Sequence, residues 1–173
     1  PHNRATQSSF SWQKNGMTRI NAILNRDTPN TMFVTLIIGI FDLPTGMVRY
    51  ANGGHNLRAS QKQEDPLFLK EISGPVVGAI AKLSYRELTL RLNPGDSILF
   101  YTDGVTEAMN TKREFYGEES LVVSLETLQN LDSEHTIKSV IDSVHRHVLD
   151  APQSDDIEIL CIRFLGNNPI HSR

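Results

Sequence analysis

The sequence predicts a single α+β domain, and three observations carry that prediction. Apolar, β-branched runs separated by turn residues follow one another from Thr31 to Thr102. A helical period takes over between Leu121 and Val148, and a last strand-like run from Asp156 to Phe164 closes the order. No internal repeat or linker interrupts it, so a mainly antiparallel sheet system flanked by helices is the physical reading.

Residues 1–16 are polar and without period, and are expected to be a poorly ordered N-terminal segment. Order is expected from Met17, where Met17, Ile20, Ile23 and Leu24 have the spacing of a short amphipathic helix ending near Asn25. Thr31 to Asp42 is β-branched and almost wholly apolar, which predicts a central strand buried on both faces. Leu43-Pro44-Thr45-Gly46 supplies turn chemistry, so Met47 to Ala51 should return as the hairpin partner.

Asn52-Gly53-Gly54-His55-Asn56 breaks that strand and Leu57 to Gln61 resumes it; a glycine pair there suits a turn, a bulge or close backbone approach. A polar loop over Gln61 to Pro66 and a strand over Leu67 to Ile72 are expected next, then an irregular crossing at Gly74 to Gly78. Tyr85 to Leu92 alternates polar and apolar residues as a half-buried strand does. Asn93-Pro94-Gly95-Asp96 turns the chain into a second apolar strand, Ser97 to Thr102. Gly117 and Glu118 lead into a helix marked by Leu121, Val122, Leu125 and Leu128. Ile137, Val140, Ile141, Val144 and Val148 mark another, with Asp132 or Ser133 placed to cap it. The domain is expected over residues 17–165, followed by a C-terminal tail at 166–173.

Composition narrows the function classes. With 173 residues, 39% hydrophobic, 21% charged and a formal charge of −3, the chain reads as an ordinary globular protein. Nucleic-acid binding is disfavoured because no basic stripe is present. A membrane role is disfavoured too: the longest apolar run, Phe33 to Phe41, is too short to span a bilayer, and no secretory signal opens the sequence. The lone Cys161 sits in an apolar run, which suits burial and rules out a disulfide framework. A reducing, cytoplasmic setting is the default expectation.

Two short stretches point to chemistry. Asp103-Gly104 follows the apolar run Ile98 to Tyr101, and a carboxylate beside glycine at the end of a buried strand calls for a hydrogen-bond or metal partner. Its plain alternative is a cap for the segment starting near Thr106. Asp155-Asp156 precedes the closing strand; two acids in a loop are commonly just solvated, and at most one should face a shared site, with Asp155 preferred. If the two strands are neighbours, Asp103 and Asp155 form half of a divalent-metal site. Tyr101 stands where haloacid-dehalogenase-type phosphatases carry their nucleophilic aspartate, which excludes that covalent mechanism. His55 among glycines is suggestive but by itself reads as turn geometry, and His145 and His147 do not share a helix face, so a His-based metal site is not expected.

Taken in order, Met32 to Leu36, Tyr50 to Asn56, Leu92 to Asp96, Tyr101 to Ala108, Phe115-Tyr116-Gly117 and Asp155-Asp156-Ile157 resemble the metal-dependent protein phosphatases (PPM, or type 2C), in their bacterial SpoIIE-type, RsbU-like branch. The resemblance implies an αββα sandwich, N-terminally truncated, with a Mn²⁺ or Mg²⁺ site to which Asp103 and Asp155 contribute ligands and beside which Asp156 stands. It implies hydrolysis of phosphoserine or phosphothreonine by a metal-activated water, in bacterial stress-response and sigma-factor signalling. The implied partner is a phosphorylated STAS-type (anti-anti-sigma) regulator. An upstream sensor or receiver domain is also implied, and a homodimer is left open.

The departures from the family pattern are specific. The Gly-Asp-type and Asp-Val-x-Gly-His/Lys-Gly motifs, which contribute further metal ligands in the family, do not occur, and Glu158 replaces a small hydroxyl residue. The chain is therefore expected to be either a piece of a longer phosphatase or a shortened relative with an impaired site. A phosphatase-like binding or regulatory module is the alternative to catalysis. A small-molecule phosphoesterase fits the aspartate pair but not the ordered match.

Overall fold

A computed structural model describes residues 12–27, 32–60, 67–68, 72–126 and 132–166. Its strands form two antiparallel sheets, so the α+β class holds. One sheet has the order β1 (Leu36–Asp42), β2 (Met47–Gly53), β5 (Leu88–Arg91). The other has the order β4 (Leu67–Phe68), β3 (Asn56–Ser60), β6 (Ser97–Tyr101), β7 (Ile159–Arg163). The β1–β2 hairpin and the order of the strands follow expectation, with β5 and β7 each starting three residues later than expected; the expected loop over Gln61 to Pro66 and residues 69–71 of the expected Leu67 to Ile72 strand lie outside the described residues. What the sequence did not reveal is that β2 and β3 belong to different sheets, with Gly54 at φ +85° in the crossing.

Two compact units divide the chain. The first comprises Pro1–Ile40, Val48–Gly54 and Glu71–Thr89. Its helix α1 (Trp12–Asp27) begins five residues ahead of the expected Met17, while the rest of the expected frayed segment lies outside the described residues. Met17 is fully buried with Ala51, Val77 and Tyr85, and Ile20, Leu24, Leu36 and Ile38 pack against them. Asn21 ties the helix to the irregular crossing by donating to the Ile80 carbonyl at 2.9 Å and accepting from the Gly78 N–H at 2.8 Å. Strand β1 is a correction to the sequence reading. It is an edge strand, half-buried to exposed along its length, not a central one. An apolar run records a tendency to be buried, not the number of neighbouring strands.

The second unit comprises Phe41–Met47, His55–Lys70 and Leu90–Arg173. Its sheet is fully antiparallel, with Leu57 paired to Phe100 and Leu99 to Cys161. Three helices follow β6: α2 (Asp103–Thr106), α3 (Gly117–Glu126) and α4 (Ser133–Val148). Leu99, Tyr101 and Cys161 from the sheet form one core with Val105, Leu121, Leu125, Val140 and Val144 from these helices. Burying that apolar area, at about 25 cal/mol per Å², is what holds helices to sheet. Cys161 is buried as expected, and burial pushes its thiol pKa up, away from reactivity. No described helix is long and apolar enough to cross a membrane.

Candidate metal centre at one end of the second sheet

Strands β6 and β7 are antiparallel neighbours with Tyr101 opposite Ile159, so the end of β6 and the start of β7 lie at the same edge. Asp103 leaves β6 as the first residue of the single-turn α2, and Asp155 and Asp156 lie in the loop ahead of β7; all three are exposed. β7 begins at Ile159 rather than at Asp156, so strand alternation does not set the direction of the two acids.

Backbone and side-chain bonds clamp the two ends together. Thr102 N–H donates to the Glu158 carbonyl at 3.1 Å. Thr102 Oγ1 donates to the Asp156 carbonyl at 2.8 Å and accepts from the Glu158 N–H at 3.0 Å. Ser154 Oγ donates to the Glu107 carbonyl at 3.2 Å, and the Asp156 N–H donates to Asp155 Oδ1 at 2.7 Å. Gly104 completes the contact: a β-carbon there would lie 2.3 Å from the Asp156 carbonyl oxygen, a separation that backbone cannot accommodate. The Asp-Gly pair is thus a carboxylate followed by the one residue that lets the other acidic loop pass.

The same edge carries His55. Asn56 pairs with Tyr101 across β3 and β6, so His55 sits just beyond the start of β3, beside the end of β6. Burial pushes the His55 pKa down, and the Asp103 charge pushes it back up. From the sequence His55 reads as turn geometry; the signal was the Asn52 to Asn56 motif, but the pairing of Asn56 with Tyr101 is one that no local pattern encodes. Tyr101 itself is buried, its phenol pKa raised by burial and its hydroxyl bonded to the buried Arg58, so no nucleophile stands in its place.

As a donor set, exposed carboxylate oxygens on a rigid corner suit a hard cation. Mg²⁺ keeps several waters and binds proteins through one or two carboxylates, and Mn²⁺ shares its taste for oxygen ligands. Among the described residues no group of three or more His, Cys, Asp or Glu is gathered to hold a metal ion. An ion held by Asp103 and Asp155 alone would keep most of its shell as water rather than sit in an all-protein cage. A groove of about 740 Å³ between α3 and α4 is lined by Ser120, Ser124, Ser143, Arg146 and neighbours, and by none of these acids.

Comparison with known proteins identifies the family. The family model described as Stage II sporulation protein E (SpoIIE) matches residues 5–165. Protein IcfG of Synechocystis is 30% identical over 132 residues, which is 76% of this chain and 20% of that protein. Phosphoserine phosphatase RsbU of Bacillus subtilis is 24% identical over 148 residues, 85% of this chain and 44% of that one. Among solved structures, the PP2C phosphatase domain of SpoIIE from Bacillus subtilis, with a fragment of its regulatory domain, superposes with a TM-score of 0.74 at 20% identity, covering 90% of this chain and 45% of that one. The chain spans less than half the length of each.

Proposed function

The chain belongs to the SpoIIE family, and on that footing we propose that it works as a metal-dependent phosphoserine/phosphothreonine protein phosphatase in bacterial signalling. The observation that carries the reading is the clamped pair of acidic strand ends, with Gly104 packed against the Asp155-Asp156 backbone. Asp103 and Asp155 would hold a Mn²⁺ or Mg²⁺ ion, and Asp156 contributes its backbone to the clamp and an exposed carboxylate beside it. A manganese-presoaked crystal of the SpoIIE phosphatase domain and a magnesium complex of RsbX support that choice of metals.

When bound, such a cation supplies a water of lowered pKa and offsets charge on the phosphoryl oxygens. The residues of the chain do the positioning. Thr102 and Gly104 hold the two acidic segments together, and His55, whose pKa burial lowers, stands at the same edge. No side chain acts as nucleophile. The substrate we favour is a small phosphorylated regulator of the STAS class, with regulatory domains elsewhere in the protein and a cytoplasmic setting.

The test is phosphate release from a phosphoserine-bearing STAS protein, with and without Mn²⁺, in wild type and Asp103→Asn. Metal-dependent release that the substitution removes is expected; metal-independent or unchanged release would sink the reading. Titrating His55 by NMR gives a readout independent of turnover. Asp103 raises the His55 pKa, so millimolar Mg²⁺ and Asp103→Asn should each lower it.

A further inference from the structure

Beside the acidic corner lies a cavity of about 190 Å³ that the phosphatase chemistry does not use. Gly104 and Asp155 form one side of it, Met109, Val148, Leu149 and Ile157 supply apolar walls, and His145, Gln153 and Ser154 add polar groups to the lining. We propose that this cavity is a specificity pocket that receives one apolar side chain of the substrate, flanking its phosphorylated residue. The inference rests on the phosphatase reading above and adds to it the chemistry of the residue next to the phosphate.

Size, place and backbone strain support this occupant. An apolar cavity of about 150 Å³ holds a benzene molecule, so about 190 Å³ accepts a leucine, methionine or phenylalanine side chain but not a second residue with it. Because Asp155 belongs both to the cavity lining and to the proposed metal corner, a phosphoserine held at that corner brings a neighbouring residue of its peptide beside the cavity.

Leu149 adds an independent sign. It follows α4 at φ 53° and ψ −119°, a conformation unfavourable for a bulky residue, and is 72% exposed. Glycine would satisfy that backbone without strain. A strained, exposed leucine contributes little to the fold, whereas a leucine walling a recognition pocket has a use.

The experiment measures binding of short phosphoserine peptides to the chain in Mn²⁺. One leucine is placed in turn at each of the four positions nearest the phosphoserine, against an all-alanine background, and hydrolysis is followed on the same peptides. One leucine position should bind about tenfold tighter than alanine, the order expected for a pocket that reads a few methylenes. Val148→Phe, which fills the cavity, should bring that ratio close to one. Leu149→Gly, which removes a wall and relieves strain, should lower the ratio while the chain keeps its circular-dichroism spectrum and melting temperature, and it decides the matter if Val148→Phe does not fold. Equal binding of all peptides, or a leucine preference that persists in every folded variant, overturns the pocket. Absence of hydrolysis with the preference intact would instead count against the phosphatase reading.

Discussion

Gly104 shows how one residue reports on a contact far along the chain. Its missing side chain is required by the Asp156 carbonyl oxygen, which a β-carbon would approach to 2.3 Å, and by the Asp156 carbonyl carbon at 2.9 Å. Both obstacles are backbone, so neither can rotate away. Gly104→Ala should push the 155–156 loop off the end of β6, costing about 1–3 kcal/mol as overpacking does, visible as a lower denaturant midpoint. It should also weaken Mn²⁺ binding in calorimetry even though both acids remain; unchanged affinity would show that the clamp does not set their spacing. The sequence made Asp103 and Asp155 legible as carboxylates at strand ends. It could not reveal the reason for the glycine, because that reason is a contact between distant segments.

Among the elements, α4 was the most legible, because a 3.6-residue period over Ile137 to Val148 and a capping residue are both local signals. Asp132 is the cap: it accepts from the His135 N–H at 2.9 Å and also meets the His135 ring nitrogen at 2.8 Å. These bonds, the backbone one first, hold its carboxyl pKa below the ordinary value. A carboxylate with a folded pKa below its unfolded one contributes stability above the unfolded pKa, and the contribution is lost as pH falls through the folded pKa. Asp132→Ala should therefore lower the melting temperature near neutral pH. The gap from wild type should close at pH well below about 3.9, the unperturbed aspartate value; a gap that survives in acid would point to packing instead of charge. β1 was less legible for the opposite reason, since its place at a sheet edge depends on which strands pair with it.

At the scale of the whole molecule, the α+β class and the element order follow from periodicity, while the passage from one sheet to the other at Asn52 to Asn56 does not. That passage matters for the site, because it is what brings His55 to the edge where β6 ends and β7 begins. The edge so assembled carries Asp103 and Asp155, and no third His, Cys, Asp or Glu joins them in a metal-holding group among the described residues. Two carboxylates leave most of an ion's coordination shell to water, and a largely hydrated ion exchanges readily. A complete two-metal site would behave otherwise, holding its ions as a clamp on both oxygens of the displacement. Phosphate release by this chain alone should accordingly be slow and should rise with Mn²⁺ concentration through the millimolar range without levelling off. Saturation at micromolar Mn²⁺ would mean that the chain builds a full centre from residues beyond the Asp103–Asp155 corner. A metal response that disappears in Asp155→Asn would tie the slow rate to the corner itself.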